Sequence, residues 1–164
     1  MGALYMRWSQ VLADPVLQNL PYKIELNEWG KVVLSPASNK HGLLQAELAG
    51  FLRDHRGHGK IITECSISTA KGVKVADVAW GSQDFFARNG LETPYREAPE
   101  LCVEIVSPSN STLEIEEKVN LYLSKGAREV WVCDEDGRLR CFTCRDSIEH
   151  SRLFPNVPDD IPFQ

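Results

Sequence analysis

Residues 99–122, PELCVEIVSPSNSTLEIEEKVNLY, set the terms on which this chain can fold. Leu101, Cys102, Val103, Ile105 and Val106 form a nearly continuous apolar run, the pattern of a strand covered on both faces. Glu104 interrupts it. Inside such a strand a carboxylate loses its hydration at a cost of several kcal/mol or more, unless it is neutralised, paired or turned toward a cation. Ser107-Pro108 ends the strand, because proline has no N–H for a sheet ladder, and Ser111 with Glu114 then reads as a capping box opening a helix. At about 100° per residue, Ile115, Val119 and Tyr122 share one stripe of that helix, with Lys118 at its edge beside Tyr122. The stretch therefore predicts a strand carboxylate and a helix amine aimed at one buried seam.

Two further acids stand in apolar surroundings. Residues 22–34 read as a hairpin, YKIEL and KVVL around a turn at 27–30, and 35–39 supply loop and cap residues for a helix over 41–54. On that helix Glu47 plots about 40° from both Leu43 and Phe51, within the stripe they define with Leu44, Leu48 and Leu52. Residues 61–68 and 73–80 read as strands, and the second, Val75-Ala76-Asp77-Val78-Ala79-Trp80, contains an aspartate, a poor strand former. A short helical turn near 84–88 follows. After the central strand and helix, Gly126 suits the helix end, 129–134 (EVWVCD) reads as a strand, and Asp136-Gly137 signals a hairpin into 138–143.

The order hairpin, helix, strands, helix, strands predicts a mixed α/β fold, a central β-sheet flanked by helices. No internal repeat or long linker divides the chain, so residues 1–164 are expected to form a single domain: a lead-in over 1–20, a core over 21–145 and a proline-bearing C-terminal strap over 146–164. No apolar run approaches the roughly 20 residues of a membrane span, and no signal peptide is visible, so the expectation is a cytoplasmic protein with no membrane partner. Five cysteines without a regular framework fit a reducing compartment, and the single CxxC, Cys141 and Cys144, lacks the second pair that a zinc site needs. The net charge of −5 offers nucleic acid no global attraction, which leaves any DNA contact to a local basic surface.

If Glu47, Asp77 and Glu104 converge, their mutual repulsion calls for a hard divalent cation, and an oxygen-only donor set favours Mg2+ or Mn2+ over zinc. The segments YKIELNEWGKVVLSPASNKHG, KVADVAW, PELCVEIVSPSNST and EEKVNLYLSKGAREVWVCD, in this order, resemble the Uma-two family of bacterial restriction endonucleases, within the PD-(D/E)XK nuclease superfamily. The resemblance implies a restriction-endonuclease-like core with an N-terminal hairpin. Asp77 matches the aspartate of the PD motif, with Ala76 in place of its proline. Glu104 matches the acid of the next strand, Ile105 would offer its backbone carbonyl to the same metal, and Lys118 matches a lysine displaced to the following helix, Val106 standing where the wider superfamily has it. Glu47 matches an acid of the first helix, as a catalytic and metal-binding residue. The implied activity is metal-dependent endonucleolytic hydrolysis of DNA by a homodimer, since cutting a duplex takes two sites.

Each residue also has a plainer reading. Glu104 could pair with Arg128, Asp77 could lie at a strand edge, Glu47 could reach solvent, and Lys118 could be a surface lysine paired with Glu114. His41, at the start of the first helix, and Tyr122 are candidate substrate contacts, as are Arg53, Arg56 and Lys60 in a basic loop; such loops are also often merely solvated. Beside the nuclease stand two alternatives: a non-catalytic nucleic-acid-binding or interaction module that retains the fold, and a hydrolase of small phosphoesters.

Overall fold

Four helices and eight strands carry the chain in the computed structural model, which describes residues 6–144 and 146–162; the first five residues of the lead-in, position 145 of the core and the last two of the strap lie outside the described residues. The order is α1 (Trp8–Ala13), β1 (Tyr22–Leu26), β2 (Val32–Pro36), α2 (Asn39–His55), β3 (Lys60–Thr69), β4 (Gly72–Gly81), α3 (Gln83–Asn89), β5 (Leu101–Ile105), α4 (Thr112–Ser124), β6 (Glu129–Cys133), β7 (Leu139–Phe142) and β8 (Ser147–Ile148). Strands β3 to β8 form one sheet in sequence order. All its neighbours are antiparallel except β5 and β6, which run parallel, as the intervening helix α4 allows.

Strands β5 and β6 are buried along their whole length, because helices and loops cover the sheet on both sides. On one face Ile115, Val119 and Tyr122 of α4 pack with Cys102, Val130 and Val132. On the other, Leu44, Leu48 and Leu52 of α2 meet Val78, Val103, Ile105 and Trp131, together with Phe154 and Ile161 of the strap. Helix ends fall where their caps predict: Ser38 Oγ accepts from His41 N–H, and Ser111 and Glu114 form the reciprocal box at the start of α4.

The hairpin β1–β2 does not join the large sheet. It forms a two-stranded sheet of its own, with β1 lying against β4 and sharing a small core of Trp8, Val11, Leu26, Val73 and Val75. Gly72 permits that approach. A side chain there would run into the backbone carbonyls of Leu26 and Asn27, and its φ of 89° is one that glycine adopts readily. The strap, expected only to be extended, contributes β8 and is fastened by a buried acid: Glu129 accepts from Trp131 Nε1 (3.0 Å), Ser151 Oγ (2.6 Å), Arg152 N (2.7 Å) and Leu153 N (3.0 Å).

Among the described residues four donors and no cation satisfy Glu129, so its removal strands all four. Glu129→Ala is expected to destabilise the fold by about 3 kcal/mol and to open the strap to proteolysis. An unchanged urea midpoint and unchanged cleavage of residues 151–162 would show that the strap is held by apolar packing alone.

Candidate active site

The site begins with strand register. Val78 lies opposite Val103 and Ala79 opposite Cys102, so one further step of the same register sets Asp77 opposite Glu104. Directly opposed residues of an antiparallel pair carry Cβ atoms about 4.5–5.5 Å apart. There the ladder ends and side-chain bonding takes over: Asp77 Oδ2 accepts the Ile105 N–H at 2.7 Å. Asp77 is fully buried and Glu104 is 2% exposed, so neither carboxylate is neutralised by water.

Positive charge arrives from two other elements. Residues two apart on a strand share a face, and β1 uses this to deliver both Lys23 and Glu25. Lys23 Nζ stands 2.9 Å from Asp77 Oδ1 and 3.4 Å from Glu104 Oε2. Lys118 Nζ, from α4, stands 2.9 Å from Glu25 Oε1 and 3.3 Å from Glu104 Oε2. One turn further along α4, the buried Tyr122 hydroxyl donates to Glu104 Oε1 at 2.6 Å. Glu25 Oε1 also accepts the Val75 N–H at 2.8 Å, which ties the hairpin acid to β4.

Helix α2 closes the remaining side with His41 and Gln45, one turn apart. His41 Nε2 lies 3.4 Å from Asp77 Oδ1, and its buried Nδ1 has no hydrogen-bond partner among the described residues. Gln45 Nε2 donates to Asp77 O at 2.8 Å and to Glu64 Oε1 at 2.7 Å. Across the sheet from Asp77, Glu64 has φ 53°, a left-handed backbone that costs a residue with a side chain about 1–2 kcal/mol. Ladder pairing skips Glu64 and Asp77, and the Gln45 amide takes up the Asp77 carbonyl instead. Strain of this kind persists only where the surroundings enforce it.

Charge balance decides each protonation state. Burial works against ionisation of Asp77, but Lys23, His41 and the Ile105 N–H outweigh it and hold its pKa well below the usual carboxylate range. For Glu25, too, burial is outweighed by Lys118 and Lys23, and its pKa falls. Glu104 goes the other way: burial, with the nearby Asp77 and Glu25 charges, outweighs the two ammoniums and raises its pKa. Burial opposes the charge on Lys23, yet Glu104, Asp77 and Glu25 keep it firmly protonated. The Tyr122 hydroxyl is pushed far up by burial and by Glu104, so it remains a donor.

The sequence expectations divide accordingly. Asp77, Glu104 and Lys118 meet, His41 joins them, and Ile105 enters through its N–H. Glu47 does not: it is exposed on α2, because the buried stripe of that helix runs through Leu44, Leu48 and Leu52 while Leu43 faces solvent. Tyr122 has no exposed surface, which corrects its expected role as a substrate contact to that of a buried donor to Glu104. Arg53, Arg56 and Lys60 line a cleft of about 620 Å³ at the far end of α2. Arg53 lies about 18 Å along the helix axis from His41, so the basic loop does not contact the acids. Arg128, the rival partner for Glu104, is exposed. Lys23, Glu25 and Gln45 were missed; the period-two spacing of the charges in YKIEL was the available signal, and it gave no hint of which element the hairpin would face.

A hard divalent cation fits this donor set. The oxygens of Asp77 and Glu104 converge on one point, the point the Lys23 ammonium takes, and no thiolate is among them. Among the described residues no three His, Cys, Asp or Glu side chains form a ready-made cage. Magnesium does not need one, since it is commonly held by one or two carboxylates while keeping waters and taking substrate phosphates.

His41 makes the cluster sensitive to pH. Its contact with Asp77 raises its pKa despite burial, so the stabilisation this adds is complete below the ordinary histidine pKa of about 6.5 and is lost as pH rises through the raised folded value. His41→Gln should therefore lower the melting temperature more at pH 6 than at pH 9. Equal losses at both would mean that no charge on His41 is felt by Asp77.

Comparison with known proteins bears on the fold and the family. A solved structure titled as a putative nuclease belonging to DUF820, from Anabaena variabilis ATCC 29413, is similar in fold, with a TM-score of 0.59 and 16% identity over 86% of this chain and 76% of that one. No curated protein matches the sequence significantly. The Uma2 family, described as Putative restriction endonuclease, matches residues 8–158, nearly the whole length, and the chain belongs to that family.

Proposed function

We propose that this chain is a divalent-metal-dependent endodeoxyribonuclease, using Mg2+ or Mn2+, which works as a single domain in the cytoplasm and pairs as a homodimer to cut both strands of DNA. Family membership supports a nuclease-like function. One observation supports the metal-dependent chemistry: two buried carboxylates on adjacent strands share a single cation position, with a second ammonium 3.3 Å from one of them.

In this reading Asp77 and Glu104, with the Ile105 carbonyl, would hold the metal. Once bound, the ion would polarise the phosphoryl oxygen and acidify the attacking water. Ile105 N–H fixes the Asp77 carboxylate, and Tyr122 OH fixes that of Glu104, so both present one oxygen to the cluster. Gln45 holds the backbone of Asp77 where the strand ladder has let go. Lys118 supplies charge to the attacking water and to the phosphate as negative charge grows there. His41 lies beside Asp77, and its buried Nδ1 has no hydrogen-bond partner among the described residues. The cleft bordered by Arg53, Arg56 and Lys60 offers the local basic surface that an acidic chain needs to hold a DNA backbone.

The alternative of a non-catalytic binding module is favoured by one feature. Every acid of the cluster is already met by a lysine or hydrogen-bond donor of this same chain. Plasmid nicking separates the two readings. With Mg2+ or Mn2+ the parent protein should nick supercoiled DNA, and Glu104→Gln and Lys118→Ala, folded by circular dichroism, should each lose roughly 100-fold or more in rate. If both variants nick as fast as the parent, the activity belongs to another site or a contaminant. Duplex binding without nicking would favour the binding module.

A further inference from the structure

The two lysines of the cluster are held in different ways. Lys118 rises from α4 and is bonded to Glu25, which Val75 N–H anchors to β4, so it has a partner whatever becomes of Glu104. Among the described residues Lys23 donates only to Asp77 and Glu104, and Glu25 acts on it through charge without a hydrogen bond. Both of its carboxylate partners, Asp77 Oδ1 and Glu104 Oε2, are the oxygens that a metal held by these two acids would use. Its ammonium bridges the two acids from opposite strands, the place a hard cation would take. A divalent ion and an ammonium cannot share it, since they repel at short range in a poorly hydrated pocket.

We propose that Lys23 is an exchangeable counter-ion of the metal site: its ammonium fills the cation position while no metal is bound and must leave before a divalent ion enters. The inference rests on the nuclease reading above. Charge supports it. With His41 uncharged, three carboxylates, from Glu25, Asp77 and Glu104, face two ammoniums, and exchange of Lys23 for a divalent cation leaves three negative charges facing three positive ones. Geometry supports it as well. Lys23 stands on the two-stranded hairpin outside the large sheet, next to the exposed Tyr22, and its side chain is 12% exposed, so its flexible four-carbon stem can turn outward without unpacking either main core. The metal-free acids thus stay paired with ammoniums, while metal affinity is set lower than the acids alone would give.

The test is Mn2+ binding by the full-length protein, followed by calorimetry and by the electron paramagnetic resonance of free Mn2+, for the parent, Lys23→Met and Lys23→Gln; the two variants guard against one failing to fold. Both should bind Mn2+ roughly tenfold more tightly than the parent, or tighter still. Their melting temperatures should lie below the parent's without metal and rise more than the parent's with it. Adding Asp77→Asn to Lys23→Met should abolish the gain. Variants that bind Mn2+ no more tightly than a parent that binds it and nicks DNA overturn this proposal alone. If neither parent nor variants take up millimolar Mn2+, the nuclease reading falls and this proposal with it.

Discussion

A buried carboxylate must be answered by something positive, and the centre of this protein is arranged to answer several at once. Asp77 and Glu104 oppose each other across β4 and β5 in an interior that excludes water. Two such charges a few Å apart are costly in low dielectric, so the pair requires cations from outside the sheet. That requirement links three otherwise distant elements: Lys23 and Glu25 on β1, His41 and Gln45 on α2, and Lys118 and Tyr122 on α4 all converge on the same two strands.

Placing the hairpin is the decisive step in assembly. Strands β1 and β2 could have extended the large sheet, but they form a separate sheet beside β4, fastened by Glu25 on the Val75 N–H and by the close approach that Gly72 allows. The result is a third layer over one stretch of β4, and from it Lys23 enters the cluster sideways. A hairpin held by a modest core of its own opens at lower cost than the strands beneath it.

The protein buries acids in two ways, and the contrast helps to separate chemistry from construction. Glu129 is met by an indole, a hydroxyl and two backbone N–H groups, all neutral, and serves to tie the strap to β6. Glu25, Asp77 and Glu104 are met by side-chain ammoniums as well as by neutral donors, with a left-handed residue, Glu64, across the sheet. Neutral donors fixed in a backbone cannot be exchanged for a metal ion, whereas ammoniums can. Burial alone would not have told these acids apart, because Glu104 and Glu129 are each 2% exposed.

Much of the fold was legible along the chain. Apolar runs marked β5 and β6, caps at Ser38 and Ser111 marked the helix starts, and the Asp136-Gly137 turn marked the return into β7. The places of Asp77 and Glu104 in strands and of Lys118 on the helix between β5 and β6 follow from short-range periodicity and capping. Only the tertiary structure decided which charges would meet them. Glu47 lost its place because the rotation of α2 on the sheet is set by Leu44, Leu48 and Leu52, a packing choice that a helical wheel with Leu43 and Phe51 on its rim leaves open. Lys23 and Glu25 gained theirs because the hairpin docks on β4, and no local pattern encodes the partner of a separately folded hairpin.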